Sequence, residues 1–498
     1  MAGQKQRDLD PMIGLEIHVQ LTNSPTKLFC QCKAEYRQYP PNTNICPVCL
    51  GMPGALPVVQ PVPLIYAVAA SYALGCKPNP MIIFTRKHYY YPDLPKNYQI
   101  TEFEGAHGAP VCKDGVFRYL DPNTWEWKSV RIRRINLEED PGRSTYDKGG
   151  ITRSTFVHVD YNRSGVPLLE IVTEPDLRSP REARALVEYL LLTLEYMGVM
   201  NPRLEGAFRV DSNISVGGGE RVEVKNIGST LDVEKAIRYE ILRQSKIIET
   251  GGVVTRETRH WDNVKGITVP LRHKEEEEEY LYFPDPDLPP VPITPRIKRQ
   301  AAELLRLTPA DVYRKITGYG VKREIAWSIT LVPALAKLYL RTASMAKDRI
   351  LAAKLVGVDL KGELKEKGIE HPSENLLPKP ETIARLVNMV INKELPYDTV
   401  KGIVLPRILD NPSIGLDQVI PKKASISEDL IIKILKENRR AVCDYLQGKK
   451  KALNYLVGVV IRTLGKVAVD PRELRNIIEK TILDNKEYFC ENNSVTKP

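Results

Sequence analysis

The sequence predicts an α+β protein: a mainly antiparallel sheet domain, then an all-helical connector and a small helical tail. Three observations carry that prediction. Residues 13–21 alternate strictly, with Ile13, Leu15, Ile17, Val19 and Leu21 on one face and Gly14, Glu16, His18 and Gln20 on the other. Such period-two alternation marks a sheet covered on one side, usually antiparallel. Further strand patterns recur at 130–140, 156–160, 208–216 and 221–225, and 168–172 reads as a short apolar strand with an acid near its centre. From Lys298 onward the pattern turns helical, and a Ser-x-Ser-Glu capping box at 425–428 opens a last group of short helices.

Composition narrows the class. The 498 residues exceed what one small core needs, so two to four domains are expected. Apolar residues make up 42% and charged residues 27%, the balance of a soluble globular chain. The longest nearly apolar run, 64–74, is too short to span a bilayer. The opening MAGQKQRDLD lacks an apolar export segment. The expectation is therefore a cytoplasmic protein with no membrane partner. A net charge of +10 arises from 72 bases interspersed with 62 acids, with no arginine-rich arm or zinc-finger module. A nucleic-acid partner would then be met by a shape-matched surface and not by a basic tail.

In chain order, residues 13–21 form the first strand, with Glu16 and His18 on its polar face. Cys30, Cys32, Cys46 and Cys49 follow as two close pairs, which can set four thiolates tetrahedrally around a structural Zn²⁺. Four sulfurs leave no open position for water, so the metal would be a clip without catalytic duty. Clustering in a chain without an export signal argues for metal over disulfides. Cys76, Cys112, Cys443 and Cys490 have no suitably spaced neighbours and read as structural or incidental. Residues 64–74 read as an alanine-rich helix. In 86–102, RKHYYYPDLPKNYQITE, the tyrosines offer stacking surfaces, Lys96 a charge and Gln99 an amide, which suits a nucleotide or an RNA end.

Residues 130–140 end in Glu138, Glu139 and Asp140. Tyr161 to Pro167 is a turn, and Glu170 sits mid-strand in 168–172. Ser179-Pro180-Arg181-Glu182 is a capping box opening a helix that runs to about Met197. Strands 208–216 and 221–225 form a hairpin around Gly217-Gly218-Gly219. Arg209, Asp211 and Asn213 share one of its faces, and Arg221, Glu223 and Lys225 another. No further motif is evident up to Trp261. If these strands share one sheet, Glu16, His18, Glu138 or Glu139, Glu170, Asp211 and Glu223 make an acidic basin. Clustered carboxylates repel, raising a pKa or demanding a cation. Mg²⁺ bridging phosphates fits such oxygens, with Arg209, Arg221 and Lys225 facing the phosphates.

The five-glutamate run 275–279 and the prolines that follow read as a strap or linker. Later helices are read at 298–306, from Thr308-Pro309, and at 321–340, 381–391 and 452–464. Residues 347–370 are lysine-rich and become irregular at their end. Gly458, inside the 452–464 pattern, points to close backbone packing. Lys449-Lys450-Lys451 suits a polyanion or a solvated loop, and 492–498 reads as a frayed end.

Against these motifs the sequence resembles the B-subunit family of tRNA-dependent aspartyl/glutamyl-tRNA amidotransferases. The resemblance rests on GLEIHVQL (14–21), KLFC (27–30), CPVCLGMP (46–53), YPDLPK (91–96), LLEIVTEP (168–175), RVDSNIS (209–215) and YFPDPDL (282–288). It implies a cradle-shaped catalytic domain at 1–293 with a zinc clip, a helical domain at 294–423 and a tRNA-gripping tail at 424–498. It implies that ATP and Mg²⁺ are used to phosphorylate the side-chain carboxylate of misacylated Asp-tRNA(Asn) or Glu-tRNA(Gln). Ammonia from a glutaminase (A) subunit then displaces phosphate. Partners would be that A subunit and a small C subunit in a heterotrimer, the misacylated tRNA, and a non-discriminating synthetase.

By the same match, Glu16, His18, Glu138, Glu170 and Asp211, with Lys225, would be catalytic, and these acids with His18 and Glu139 would frame the metal. Lys96, Gln99, Arg209, Asn213 and Glu223 would bind the nucleotide. The chain departs from the family in Asn136, where many members have histidine before the paired acids, and in Glu279-Tyr280-Leu281-Tyr282, where Asp-Tyr-Arg-Tyr is commoner. The extra domain of the related archaeal E subunit is missing, which favours the three-subunit enzyme. The rival reading is a tRNA-binding scaffold whose basin no longer turns over ATP.

Overall fold

A sheet with one apolar face needs a cover, and two helices of this chain provide it. The computed structural model describes residues 9–147, 154–271, 280–421, 428–464 and 471–490. The chain forms two units, Met1–Asp311 and Val312–Pro498.

The first unit opens with β1 (Pro11–Gln20) and helix α1 (Pro61–Ala73). Then come β2 (Met81–Ile82), β3 (Thr85–His88), β4 (Tyr98–Thr101), β5 (Cys112–Asp121), β6 (Glu126–Glu139), β7 (Arg143–Tyr146), β8 (Val157–Asp160) and β9 (Pro167–Thr173). Helix α2 (Pro180–Tyr196), β10 (Phe208–Val216), β11 (Val222–Ile227), α3 (Thr230–Glu249), β12 (Glu257–Asp262) and β13 (Ile267–Pro270) follow. The unit closes with β14 (Phe283–Pro284), β15 (Val291–Pro292) and α4 (Pro295–Glu303). Eight strands form one sheet in the order β13-β12-β11-β10-β1-β9-β6-β5. Its neighbours are antiparallel except β11 and β12, which run parallel because α3 carries the chain across between them.

The alternation of β1 governs the core. Ile17 lies between Val210 of β10 and Ile171 of β9, and all three are fully buried. Ile13, Leu15, Val19, Ile214, Leu169, Ile135 and Leu137 extend the same apolar face. Leu186 and Leu190 of α2 and Val233 and Ile237 of α3 are fully buried as well. Helix α2 starts as its capping box requires: the Glu182 N–H donates to Ser179 Oγ at 3.2 Å. Glu182 itself accepts from the Arg178 N–H at 2.9 Å. Helix α3 begins on Ser229, whose Oγ accepts from the Asp232 N–H at 3.0 Å, a cap that the sequence analysis does not include. The β10–β11 hairpin turns at Gly217 and Gly218, with φ of 59° and 72°, a conformation that suits glycine. Strand β8 does not join the main sheet but pairs with β7 alone.

The second unit is helical, and it corrects several expectations. The pattern at 321–340 is two helices, Arg323–Thr330 and Pro333–Met345, because Pro333 cannot donate to a continuing helix. Residues 349–366 are helical, passing through a π-helical segment, Leu355–Leu360, and the chain is irregular at 367–370, where the end of the 347–370 segment reads so in the sequence. A Cβ on Gly458 would meet nothing within 4 Å among the described residues, so no close backbone approach explains that glycine. The tail helices have a buried cluster that includes Ile431, Ile434, Leu435, Val442, Leu456 and Ile478. The four scattered cysteines are not isolated: Cys76 bonds Cys112, and Cys443 bonds Cys490. Pairings 36 and 47 residues apart are made by topology, which spacing cannot reveal. The run 275–279, the capping residues 425–427 and the end at 492–498 lie outside the described residues.

Candidate functional site

Register decides which side chains meet on the open face. In β1, Glu16 stands opposite Asp211 of β10, and His18 stands between Arg209 of β10 and Glu170 of β9. Glu170 in turn faces Asn136 of β6, two residues before Glu138. On the other flank Asn213 pairs with Glu223, with Lys225 two residues further along β11. Antiparallel partners share a face. Glu16, His18, Glu138, Glu170, Asp211, Arg209, Asn213, Glu223 and Lys225 therefore line one basin.

Its centre is Glu16, His18 and Glu170, whose ligand atoms lie within 4.8 Å of one another. His18, Glu170, Asp211, Glu138 and Glu223 are all buried. Burial, and next the charges of Glu170 and Asp211, push the Glu16 carboxyl up to about 8. Burial and then Glu138 push Glu170 up to about 8 as well. Burial holds His18 well below its ordinary value, with Arg209 adding to the effect, so its imidazole is neutral and has a lone pair to give. Four buried atoms of the basin lack a hydrogen-bond partner among the described residues: His18 Nδ1, Asn136 Oδ1, Asn213 Oδ1 and Glu102 Oε1. Buried polar atoms are seldom left so. Carboxylates that repel and polar atoms without partners are what a divalent cation and a polar ligand would satisfy.

The remaining predicted residues have definite partners. Glu138 accepts from Gln99 Nε2 at 3.1 Å and from the Thr101 hydroxyl. Glu139, next in the strand, points the opposite way and binds the Lys96 ammonium and the Ile100 N–H. Lys96 and Gln99 thus hold the end of β6. Arg209 Nη1 lies 3.3 Å from Asp140 Oδ1. Lys225 Nζ lies 3.7 Å from Asp211 and 3.6 Å from Glu223. Arg221 precedes β11 and is exposed.

The thiols of Cys30, Cys32, Cys46 and Cys49 also lie within 4.8 Å of one another. A hydrogen bond from Cys30 draws Cys49 down to about 5, while burial pushes Cys32 up to about 11. Four converging sulfurs, one already favoured as thiolate, fit a tetrahedral zinc. Gly51 (φ 64°) closes this loop where a side chain would collide with Lys96, so the loop abuts the residue that grips Glu139.

Residues 11–299 match the GatB/GatE catalytic domain and 338–482 the GatB domain. The chain is 59% identical over 475 residues to the B subunit of the aspartyl/glutamyl-tRNA(Asn/Gln) amidotransferase of Aeropyrum pernix, covering 95% of this chain and 98% of that one. It is 43% identical to the B subunit of Saccharolobus solfataricus and 40% identical to that of Thermotoga maritima, over 94% and 95% of this chain and 99% and 98% of theirs. The chain belongs to this B-subunit family.

The residues that match the catalytic-domain model lie in the first unit, and the basin there includes residues beyond those predicted. Arg134 Nη2 lies 3.1 Å from Glu170 Oε1. Counting back by twos from Glu138 reaches it, but a bulge between Ile132 and Arg134 disturbs the alternation further up the strand. Lys87 of β3 bears on Glu138 and Glu170, and its ammonium lies 4.7 Å from the centre of the Tyr280 ring. Glu102 accepts from the Leu137 N–H at 2.9 Å. Lys87 and Glu102 come from a segment that reads as a loop, so periodicity gives them no signal.

Proposed function

We propose that this chain activates and amidates the side-chain carboxylate of aspartyl- or glutamyl-tRNA in the basin around Glu16, His18 and Glu170. The observation that carries the reading is that set of three ligand groups, drawn from β1 and β9 and ringed by further acids and bases. ATP with Mg²⁺ supplies the phosphoryl group that makes the carboxylate a good acyl donor for ammonia. Glu16 and Glu170, with Asp211 and Glu138 beside them, would hold the cation. His18, neutral and lacking a partner on Nδ1, would ligate or orient. Lys225, Arg209, Lys87 and Arg134 offset the charge of two anions brought together. Asn213 offers an amide oxygen to a hydroxyl or amino donor. Gln99 and Lys96 keep Glu138 and Glu139 on opposite sides of β6, and Glu223 orients Lys225.

The chain works as one component of a complex, in keeping with the family. We assign ammonia supply to a glutaminase A subunit, with a small C subunit completing a heterotrimer. We assign the divisions 1–293 to chemistry, 294–423 to the helical domain and 424–498 to gripping tRNA. The non-discriminating synthetase, which makes the misacylated substrate, is the further partner. Zinc held by Cys30, Cys32, Cys46 and Cys49 serves the fold. Among the described residues, no helix is long and apolar enough to cross a membrane.

Glu170→Gln is the direct test. In the reconstituted complex, tRNA-dependent ATP hydrolysis is expected to fall by about 100-fold or more. Unchanged hydrolysis would favour the scaffold reading.

A further inference from the structure

Lys27 is a charged residue with no exposure at all. Its Nζ donates to the Asn44 carbonyl at 2.9 Å and to Cys49 Sγ at 3.5 Å. Among the described residues it forms no ion pair with a carboxylate, whereas the half-buried Arg86, Lys96 and Arg134 each form one. A buried ammonium without a counter-charge is costly. The charge facing it is sulfur. Four thiolates around one divalent ion carry a net charge of −2, and that excess is costly in a buried site for the same reason.

We infer that Lys27 is the built-in counter-ion of the cysteine-bound metal, its ammonium set against Cys49 to offset the excess negative charge. The inference rests on the reading of the four cysteines as a zinc site. The surroundings hold both groups in place. A Cβ on Gly165 would lie 3.4 Å from Cys49 Cβ and 3.5 Å from Lys27 Cδ. Ser164 Oγ donates to the Cys49 carbonyl at 2.9 Å, and the Leu28 N–H donates to Gly165 O at 2.9 Å. The loop clamped this way leads directly into β9, the strand of Glu170. Lys27 is thus a positioning residue: it acts on the metal, and through the metal on the entry to the catalytic strand.

The test uses the full chain purified without chelator. The wild type should contain one zinc, and its absence would refute the metal reading itself. With zinc present, Lys27→Met should bind it roughly 10- to 100-fold more weakly against a chromophoric chelator, the range for outer-shell partners. In cobalt-exchanged protein its sulfur-to-metal charge-transfer band should move to longer wavelength, since removing the cation raises the sulfur donor level. A general loss of stability would not shift that band. Equal zinc retention with an unmoved band would overturn the role of Lys27 and leave the zinc site intact. If Lys27→Met does not fold, Lys27→Gln, which keeps a donor without the charge, is read in the same way. If neither folds, cadmium-113-exchanged wild type decides. A scalar correlation between the Lys27 ammonium and the metal supports the inference, and its absence overturns it.

Discussion

Glu16 and Glu170 are placed where each resists ionising, and that has a measurable consequence apart from turnover. Both carboxyls are raised from their ordinary 4.5 to about 8 by burial and by neighbouring acids. A group whose folded-state pKa is raised favours the fold fully below its unfolded pKa and loses that contribution as pH rises through the folded one. The Mg²⁺-free protein should therefore weaken between about pH 4.5 and about pH 8. Glu170→Gln, which cannot ionise, should melt on the order of 2 °C or more above wild type at about pH 9 without Mg²⁺. Added Mg²⁺ should close the gap by stabilising the wild type. Thermal melts at the two ends of that window, with and without Mg²⁺, measure it. The same residue would thus trade stability for activity, since the substitution that steadies the empty basin should stop ATP hydrolysis. These acids are legible in the sequence because strands carrying acids recur along the first region, and because an acid inside an apolar strand is costly unless it is paired or bound. Lys87 and Glu102 are not, since their approach to the basin depends on how a small second sheet sits beside the large one.

Among the elements, the strands are easier to read than their ends. β1 and the β10–β11 hairpin lie where period-two patterning places them, because one buried face fixes a register and a one-residue slip would expose it, and β9 lies where its short apolar run places it. The bulge in β6, the separate β7–β8 hairpin and the break at Pro333 depend on tertiary context or on a single residue. The disulfides are invisible for a further reason: each joins elements distant in sequence. The link between Cys443 and Cys490 ties the helix Arg439–Leu446 to the end of the described tail, beyond Lys486–Phe489. Closing a loop of that length typically contributes about 2–4 kcal/mol. Cys443→Ser should accordingly lower the unfolding free energy of the tail by that order and speed proteolysis beyond Lys486. The metal content and ATP hydrolysis of the first unit should be unaltered. Digestion followed by mass spectrometry, with metal and hydrolysis assays alongside, checks both halves of this statement.

For the molecule as a whole, the basin and the tail's buried core belong to different units. The basin belongs wholly to the first unit, and the helices from Glu428 onward have their own buried cluster. Deleting residues 428–498 should leave zinc content and Mg²⁺ binding unchanged while weakening tRNA binding about tenfold or more, equivalent to about 1.4 kcal/mol. Titration with misacylated tRNA measures that loss; undiminished binding would remove the tail from tRNA recognition. The fold class is legible because the change from period two to helical patterning separates sheet from helices along the chain.

The central claim is that Glu16, His18 and Glu170 share one cation, and anomalous diffraction from crystals grown with Mn²⁺ and a non-hydrolysable ATP analogue tests it most directly. The account predicts an anomalous peak within coordination distance of those three side chains. A peak elsewhere, or none at saturating Mn²⁺, would contradict it.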